Sequence, residues 1–422
     1  MTFDTLGLRP ALLARLAELD FTQPTPIQRQ AIPYALEGRD VMGLAQTGTG
    51  KTLAFGLPIV QSLTTTGRQK CIAKTAQALI LAPTRELAKQ IHDTLTAITA
   101  GAHLRVGLVV GGASVNAQAQ RLLKGTHILV ATPGRLIDLI ERDALSLDET
   151  AYFVLDEADQ MLDLGFIHAL RRIAKLLPEE RQTLLFSATM AKQMAEIAAA
   201  FLTDPVRVEV SPPGKTADKI EQSVIFADMA ARPDRLASLL DHHRDELALV
   251  FTRTKHGADR LAKKLATHGF AVGAIHGNKS QGQRNRALAA FKAGELRVLV
   301  ATDVAARGID IPDVRHVYNY ELPNVADNYV HRIGRTARAG RDGRAVSFCS
   351  PEEIKDLRDI EKLIGQTIEA VGEVPAAVHA TPVKSSKPKR GGKGGGGGGG
   401  NGAAQGRPQQ RRRSNQRRRK AA

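Results

Sequence analysis

The segment AYFVLDEADQML, residues 151–162, runs four apolar positions straight into Asp156, Glu157 and Asp159. Carboxylates gathered at the end of a buried strand need positive charge close by, because an unpaired buried charge is very costly. A second segment, DVMGLAQTGTGKTLAF at residues 40–55, offers a source of it. An apolar strand leads into Gln46, Thr47, Gly48, Thr49, Gly50, Lys51 and Thr52 and then into a helical pattern. Glycines at such a turn let backbone N–H groups cradle phosphates. Lys51 would reach the β- and γ-phosphate oxygens of a nucleotide, and Thr52 would ligate Mg2+. The strict form of this phosphate loop begins with Gly, where this chain has Ala45. Asp156 is then the expected magnesium partner, and Glu157 the group that orients and deprotonates an attacking water. Taken singly, the loop could be a helix-starting turn and the acids a solvated turn. Together they support nucleotide chemistry.

These residues need a scaffold that brings strand ends together. Short apolar runs alternate with helical patterns: DVMGLA, QALILA, LRVGLVV, HILVAT, YFVLD and TLLFSAT in the first half. Several are apolar on both faces, as strands of a covered parallel sheet must be. The fold class this predicts is α/β, with doubly wound parallel sheets. At residue 211 the text SPPGKTAD interrupts the alternation, and Pro212, Pro213 and Gly214 mark a linker. QSVIFA, LALVFTRT, AVGAIHG, RVLVATD, HVYNYE and AVSFCS then restart it. The expected organisation is a first domain over 1–208, a linker over 209–219, a second domain of the same type over 220–371, and a tail over 372–422. The tail has almost no apolar residues and is expected to be disordered.

Bulk properties narrow the class further. Of the 422 residues 43% are hydrophobic, which suits a soluble globular protein. No apolar run reaches the roughly 18 residues of a membrane span. The first 20 residues read as an amphipathic helix rather than a secretory signal. Cys71 and Cys349 are the only cysteines and form no CxxC pair, so a zinc site or disulfide framework is not expected and a cytoplasmic setting is. The net charge is +16, yet thirteen Lys/Arg and no acid lie from Lys384 onward, leaving +3 for the rest. The folded part is nearly neutral and the tail is the polycation.

With DEAD, the phosphate loop and the segments that follow them in order, the chain resembles the DEAD-box ATP-dependent RNA helicases of superfamily 2 over roughly residues 1–365. MLDLGFIHALRRI and the glycine/arginine tail are most similar to the bacterial RhlE-type subgroup. The resemblance implies two tandem RecA-like domains, ATP and Mg2+ as cofactors, and RNA as the partner, held mainly through its phosphate backbone. FTQPTPIQ resembles the Q motif, in which Gln28 would read adenine, since an amide can bond both N6 and N7. Phe3 resembles the upstream aromatic that stacks on the base, although a buried place at the start of a helix suits it as well. PTREL, Gly111–Gly112 and TPGR imply RNA-backbone contacts from Thr84, Arg85, Gly112, Thr132, Gly134 and Arg135. SAT implies that Ser187 and Thr189 link the two sites. In HRIGRTARAGR, His331, Arg332, Arg335 and Arg338 share a face. There Arg335 and Arg338 would be arginine fingers, and His331 and Arg332 would pair with the DEAD and SAT segments. ATDVAARGIDI implies Thr302 on RNA and Asp310 on the ATP ribose, and SQGQR implies Gln281 and Arg284 near RNA.

The machine implied is one in which ATP and RNA both favour closure of two domains and so bind cooperatively. The expected activity is RNA-dependent ATP hydrolysis that unwinds short duplexes or remodels ribonucleoprotein, by a monomeric engine, with ribosomal or RNA-decay assemblies as settings. An RNA clamp or annealer that does not unwind is the alternative, and a DNA helicase a weaker third. The tail suits a tether that binds RNA without sequence preference.

Overall fold

The structure, a computed structural model, describes residues 2–46, 48–65, 70–190, 192–210, 220–306, 311, 313–337 and 342–375. Met1–His379 form one compact unit that holds two sheets. Strands of the first are β1 (Val41–Leu44), β2 (Ala76–Leu81), β3 (Val106–Val109), β4 (Thr126–Ala131), β5 (Tyr152–Leu155), β6 (Gln182–Ser187) and β7 (Val206–Glu209). Those of the second are β8 (Ile220–Phe226), β9 (Leu247–Thr252), β10 (Val272–Ile275), β11 (Val298–Thr302), β12 (Val314–Asn319), β13 (Gly343–Cys349) and β14 (Glu369–Ala370). All pairings are parallel.

The first sheet runs β3-β4-β2-β5-β6-β1-β7 and the second β10-β11-β9-β12-β13-β8-β14. The second order is the first with every strand advanced by seven, so the lobes are topological duplicates. Every predicted strand segment forms a strand. The edge strands β7 and β14 were not expected. Both lie at a sheet edge and carry acidic residues, Glu209 and Glu369, so their hydrophobic signal is weak.

Burial on both sheet faces explains the continuous apolar strands. In the first lobe Ile80, Val130, Val154 and Phe186 pack on one face with Phe55, Leu57 and Leu95. Leu81, Leu129, Phe153 and Leu185 pack on the other with Met161, Ile173 and Phe201. Period-two alternation thus distributes each strand between two cores. The amphipathic start of the chain is broken in two: a short 3-10 turn at Phe3–Leu6 and a helix at Pro10–Glu18, separated by Gly7 at φ 80. Among the described residues no helix is long and apolar enough to cross a membrane.

Candidate nucleotide and RNA site

Parallel sheets collect their loops at the carboxyl ends of the strands, where ligands of such folds bind. In the first lobe the ends of β1, β5 and β6 carry the phosphate loop, DEAD and SAT, and these three strands are neighbours in the sheet. The ends of β2, β3 and β4 carry PTREL, Gly111–Gly112 and TPGR. One edge of one sheet therefore holds two groups of motifs side by side.

The phosphate loop joins β1 to the helix Lys51–Thr65. Gly48 and Gly50 have φ of 85 and 88, a region that side chains disfavour. A Cβ on Gly50 would also lie 2.4 Å from Gln28 Nε2. Thr49 Oγ1 donates to the Gln46 carbonyl at 2.8 Å, closing the turn. Lys51 Nζ donates to the Ala45 carbonyl at 3.1 Å and lies 3.8 Å from Asp156 Oδ1. Thr52 follows it, half-buried.

Asp156 is 2% exposed. Burial pushes its pKa up to about 6, with Lys51 working against the rise and Glu157 adding to it. Glu157 N–H donates to Asp156 Oδ1 at 3.0 Å, and Glu157 sits in the left-handed region at φ 53, heading the short helix Ala158–Asp163. This bend turns the chain so that Asp159 faces the end of β6. Asp159 Oδ2 accepts from the N–H groups of Ala188 (3.0 Å) and Thr189 (2.9 Å) and from Thr189 Oγ1 (3.2 Å). Ser187 Oγ donates to the Thr189 carbonyl at 2.7 Å. Sequence reasoning gave Ser187 and Thr189 a linking part but gave Asp159 none. Its spacing from Asp156 was the available signal.

The two residues expected at the adenine also have partners inside the protein. Gln28 is 3% exposed and uses both ends of its amide internally. Its Oε1 accepts from Thr25 N–H at 2.9 Å, in a capping box, and its Nε2 donates to the Gly50 carbonyl at 2.9 Å. Phe3 is 4% exposed within the first-lobe core, so the place at the start of a helix is the one it takes here.

The second motif group lines a cleft of ≈ 570 Å³ that both lobes wall. Thr84, Arg85, Gly112, Thr132, Gly134 and Arg135 face it from the first lobe, and Gln281 and Arg284 from the second. Arg85 lies so close to the glycine pair that a Cβ on Gly112 would come within 2.1 Å of its Nη1. Arg85 Nη1 donates to Gln281 Oε1 at 3.1 Å, and Gln281 Nε2 donates to Glu86 Oε1 at 2.9 Å. Arg284 Nη2 pairs with the same Glu86 oxygen at 3.0 Å. Glu86 is thus a bridge between lobes that the sequence did not reveal. Arg135 donates to the Ala113 carbonyl at 3.0 Å and pairs with Asp138 at 3.4 Å. Thr84 caps the helix Arg85–Ile98 by accepting from Leu87 N–H at 3.2 Å. Thr302, half-buried at the end of β11, stands outside this lining, although its near neighbour Val304 belongs to it.

The arginines of the second lobe correct an expectation. Arg332 does not pair with DEAD or SAT groups. It is 1% exposed and grips Asp303 through Nε and Nη2, the latter at 2.8 Å. Its Nη1 donates to Asn319 Oδ1 (3.1 Å) and the Glu321 carbonyl (2.7 Å), and its guanidinium lies 5.0 Å from the centroid of Phe251. A guanidinium this buried must be satisfied within its own lobe. Arg335 is 3% exposed and donates from Nε to the His331 carbonyl at 3.2 Å. His331 and Arg335 line one small cavity with Asp303 and Phe251. Thr47, Asp310 and Arg338 lie outside the described residues.

A phosphate loop and an acidic strand end on the first of two duplicate parallel lobes define a tandem RecA-like nucleotide-dependent protein. Residues 25–197 match the DEAD/DEAH box helicase family and residues 231–340 the helicase conserved C-terminal domain. The ATP-dependent RNA helicase CshA of Limosilactobacillus reuteri is 45% identical over 86% of this chain and 72% of its own length. The chain belongs to the DEAD-box ATP-dependent RNA helicase family. Its likeness to CshA proteins does not carry the finer RhlE-type placement. Among solved structures, S. cerevisiae Dbp5 bound to RNA and ADP BeF3 superposes with a TM-score of 0.79, at 33% identity, covering 88% of this chain and 95% of that one. A point variant of Dbp5 bound to a Gle1 variant and IP6 gives 0.70 at the same coverage and 32% identity.

Proposed function

We propose that this helicase hydrolyses ATP at the β1, β5 and β6 ends of the first lobe and grips an RNA backbone in the cleft between lobes. Residues 1–208 and 220–371 are the two working domains in this reading. Lys51 holds the β- and γ-phosphates, with backbone N–H groups of Gln46 to Thr52 around them. Thr52 and Asp156 are the residues that would hold a magnesium ion, since both offer oxygen donors and Asp156 is buried beside Lys51. When bound, the ion neutralises charge on the phosphates. Glu157, held at the head of its helix, orients and deprotonates the attacking water. Arg335 and Arg338 are assigned to the γ-phosphate, Asp310 to the ribose and Gln28 to the adenine. Gln28 uses one of two Nε2 hydrogens and one of two Oε1 lone pairs in its bonds to Gly50 and Thr25, so its amide retains a donor and an acceptor for the adenine.

The observation that carries the reading is the cleft itself. Arg85 and Arg135 from one lobe and Arg284 from the other face a common space, suited to a polyanion that spans both. RNA there and ATP beside it would each favour the closed arrangement, so each should raise affinity for the other. Asp159 is the physical link, since it ties the DEAD segment to SAT. Thr302 joins the RNA path from β11. A cytoplasmic, monomeric engine acting on ribosomal or RNA-decay assemblies is the setting this reading favours. The test is a pair of variants. Lys51→Ala should lose ATP turnover, and Glu157→Gln should bind ATP and RNA yet stall before hydrolysis. Normal turnover in either variant would contradict the site.

A further inference from the structure

Two helices begin where the lobes meet: Arg85–Ile98 in the first lobe and Gln281–Lys292 in the second. A helix N-terminus carries positive partial charge and welcomes an anion. Among the described residues that line the cleft, Glu86 is the only acid, set against the bases Arg85, Arg135, Lys279 and Arg284. Burial lowers the pKa of Arg85, Glu86 opposes that, and the like charges of Arg284 and Arg135 add to it. Positive charge therefore crowds this place, and Glu86 is its internal counter-ion. Glu86 stands in the first turn of its helix with 7% of its side chain exposed. Its Oε1 accepts from Gln281 Nε2 at 2.9 Å and from Arg284 Nη2 at 3.0 Å, both across the lobe boundary. Gln281 in turn accepts from Arg85 Nη1 at 3.1 Å. One carboxylate oxygen thus collects two donors from the second lobe, as a phosphate oxygen could. Arg284 Nε is buried and has no hydrogen-bond partner among the described residues. An orphaned buried donor is costly, so this guanidinium keeps a use for an anion after Glu86 has taken Nη2.

We propose that Glu86 is a positioning residue that stands in for an RNA phosphate: it draws Gln281 and Arg284 to the first lobe before RNA arrives, and so sets how far ATP turnover depends on RNA. The inference rests on the RNA cleft of the proposed function. With the carboxylate in place, the lobes can meet in ATP alone, because the crowded guanidiniums have a counter-ion. Without it an RNA phosphate must supply the charge, and closure waits for RNA. Glu86 belongs to the segment after β2, not to the phosphate loop or to DEAD, so its effect falls on closure rather than on the hydrolytic step.

Glu86→Gln keeps the shape of the side chain and removes its charge. In the full chain two readouts apply. One is ATP turnover with and without saturating single-stranded RNA. The other is energy transfer between dyes placed one on each lobe, with a non-hydrolysable ATP analogue. Loss of the charge roughly halves the strength of the two cross-lobe bonds, so turnover and closure without RNA should fall about fivefold to tenfold. At saturating RNA both should approach native values, so the ratio of stimulated to basal turnover rises. A side chain needed only for folding would lower the thermal midpoint and reduce turnover alike with and without RNA, and that result would overturn the proposal. Native turnover and closure without RNA in Glu86→Gln, beside a native chain that RNA stimulates, would overturn it alone. A native chain indifferent to RNA would contradict the proposed function and this inference with it.

Discussion

Asp159→Asn isolates the bond between the DEAD and SAT segments, which the proposed function reads as the coupling of ATP to RNA. The carboxylate is 8% exposed and serves two sides: Oδ1 accepts from Gln160 N–H at 2.9 Å, and Oδ2 serves Ala188 and Thr189. An asparagine has one acceptor oxygen. If it faces SAT, Gln160 N–H loses its partner; if it faces Gln160, two N–H groups of SAT do. An orphaned buried N–H costs about 1–3 kcal/mol. The surviving bonds drop from charge-assisted to neutral, roughly halving their strength. The total is about 2–4 kcal/mol, which in a lobe of this size lowers the thermal midpoint by roughly 4–16 °C. Three assays separate the effects: thermal unfolding, binding of a fluorescent ATP analogue, and ATP turnover with and without RNA. Nucleotide binding should persist, because Lys51 and Asp156 are untouched, while stimulation by RNA should fall steeply. An unchanged midpoint together with native RNA stimulation would refute the link.

Other perturbations test separate parts of the structure. Arg332→Leu should destabilise the second lobe by about 3 kcal/mol, the low end for breaking a buried pair, because Asp303 is 25% exposed; chemical denaturation measures it. Lowering the pH should weaken the second lobe once it passes the ordinary histidine pKa of about 6.5. The folded pKa of His316 is lowered by burial, against Glu246, so the unfolded chain binds more protons and stability rises with pH across that window. In His316→Gln the midpoint measured between about pH 8 and about pH 5 should vary less. Deleting residues 384–422 should weaken RNA binding at low salt and spare ATP turnover at saturating RNA. If about six of its charges engage a strand, the native log–log salt slope is about −4, and an unchanged slope after deletion would count against the tether.

What the sequence conveyed was the positions of strands and the loops that end them. Apolar runs such as QALILA leave no choice but a covered strand, and the glycines of the phosphate loop have φ values that few other residues accept. What it did not convey was side-chain partnership. Arg332 read as a residue that reaches across a cleft, because spacing reveals a shared helix face but not the Asp303 waiting in the same lobe. Glu86 sits inside a motif whose arginine drew attention, and its bond to Gln281 spans 195 positions of chain. Gln28 read as the residue that selects adenine, yet Thr25 and Gln28 also have the spacing of a capping box, which is the use the structure shows.

The most direct test of the account is ATP hydrolysis by the full chain with no nucleic acid, with single-stranded RNA and with a DNA strand of the same sequence. A cleft completed by both lobes and coupled to the ATP site, as the proposed function has it, predicts slow basal turnover that rises strongly with RNA alone. Turnover indifferent to RNA, or raised equally by DNA, would contradict it.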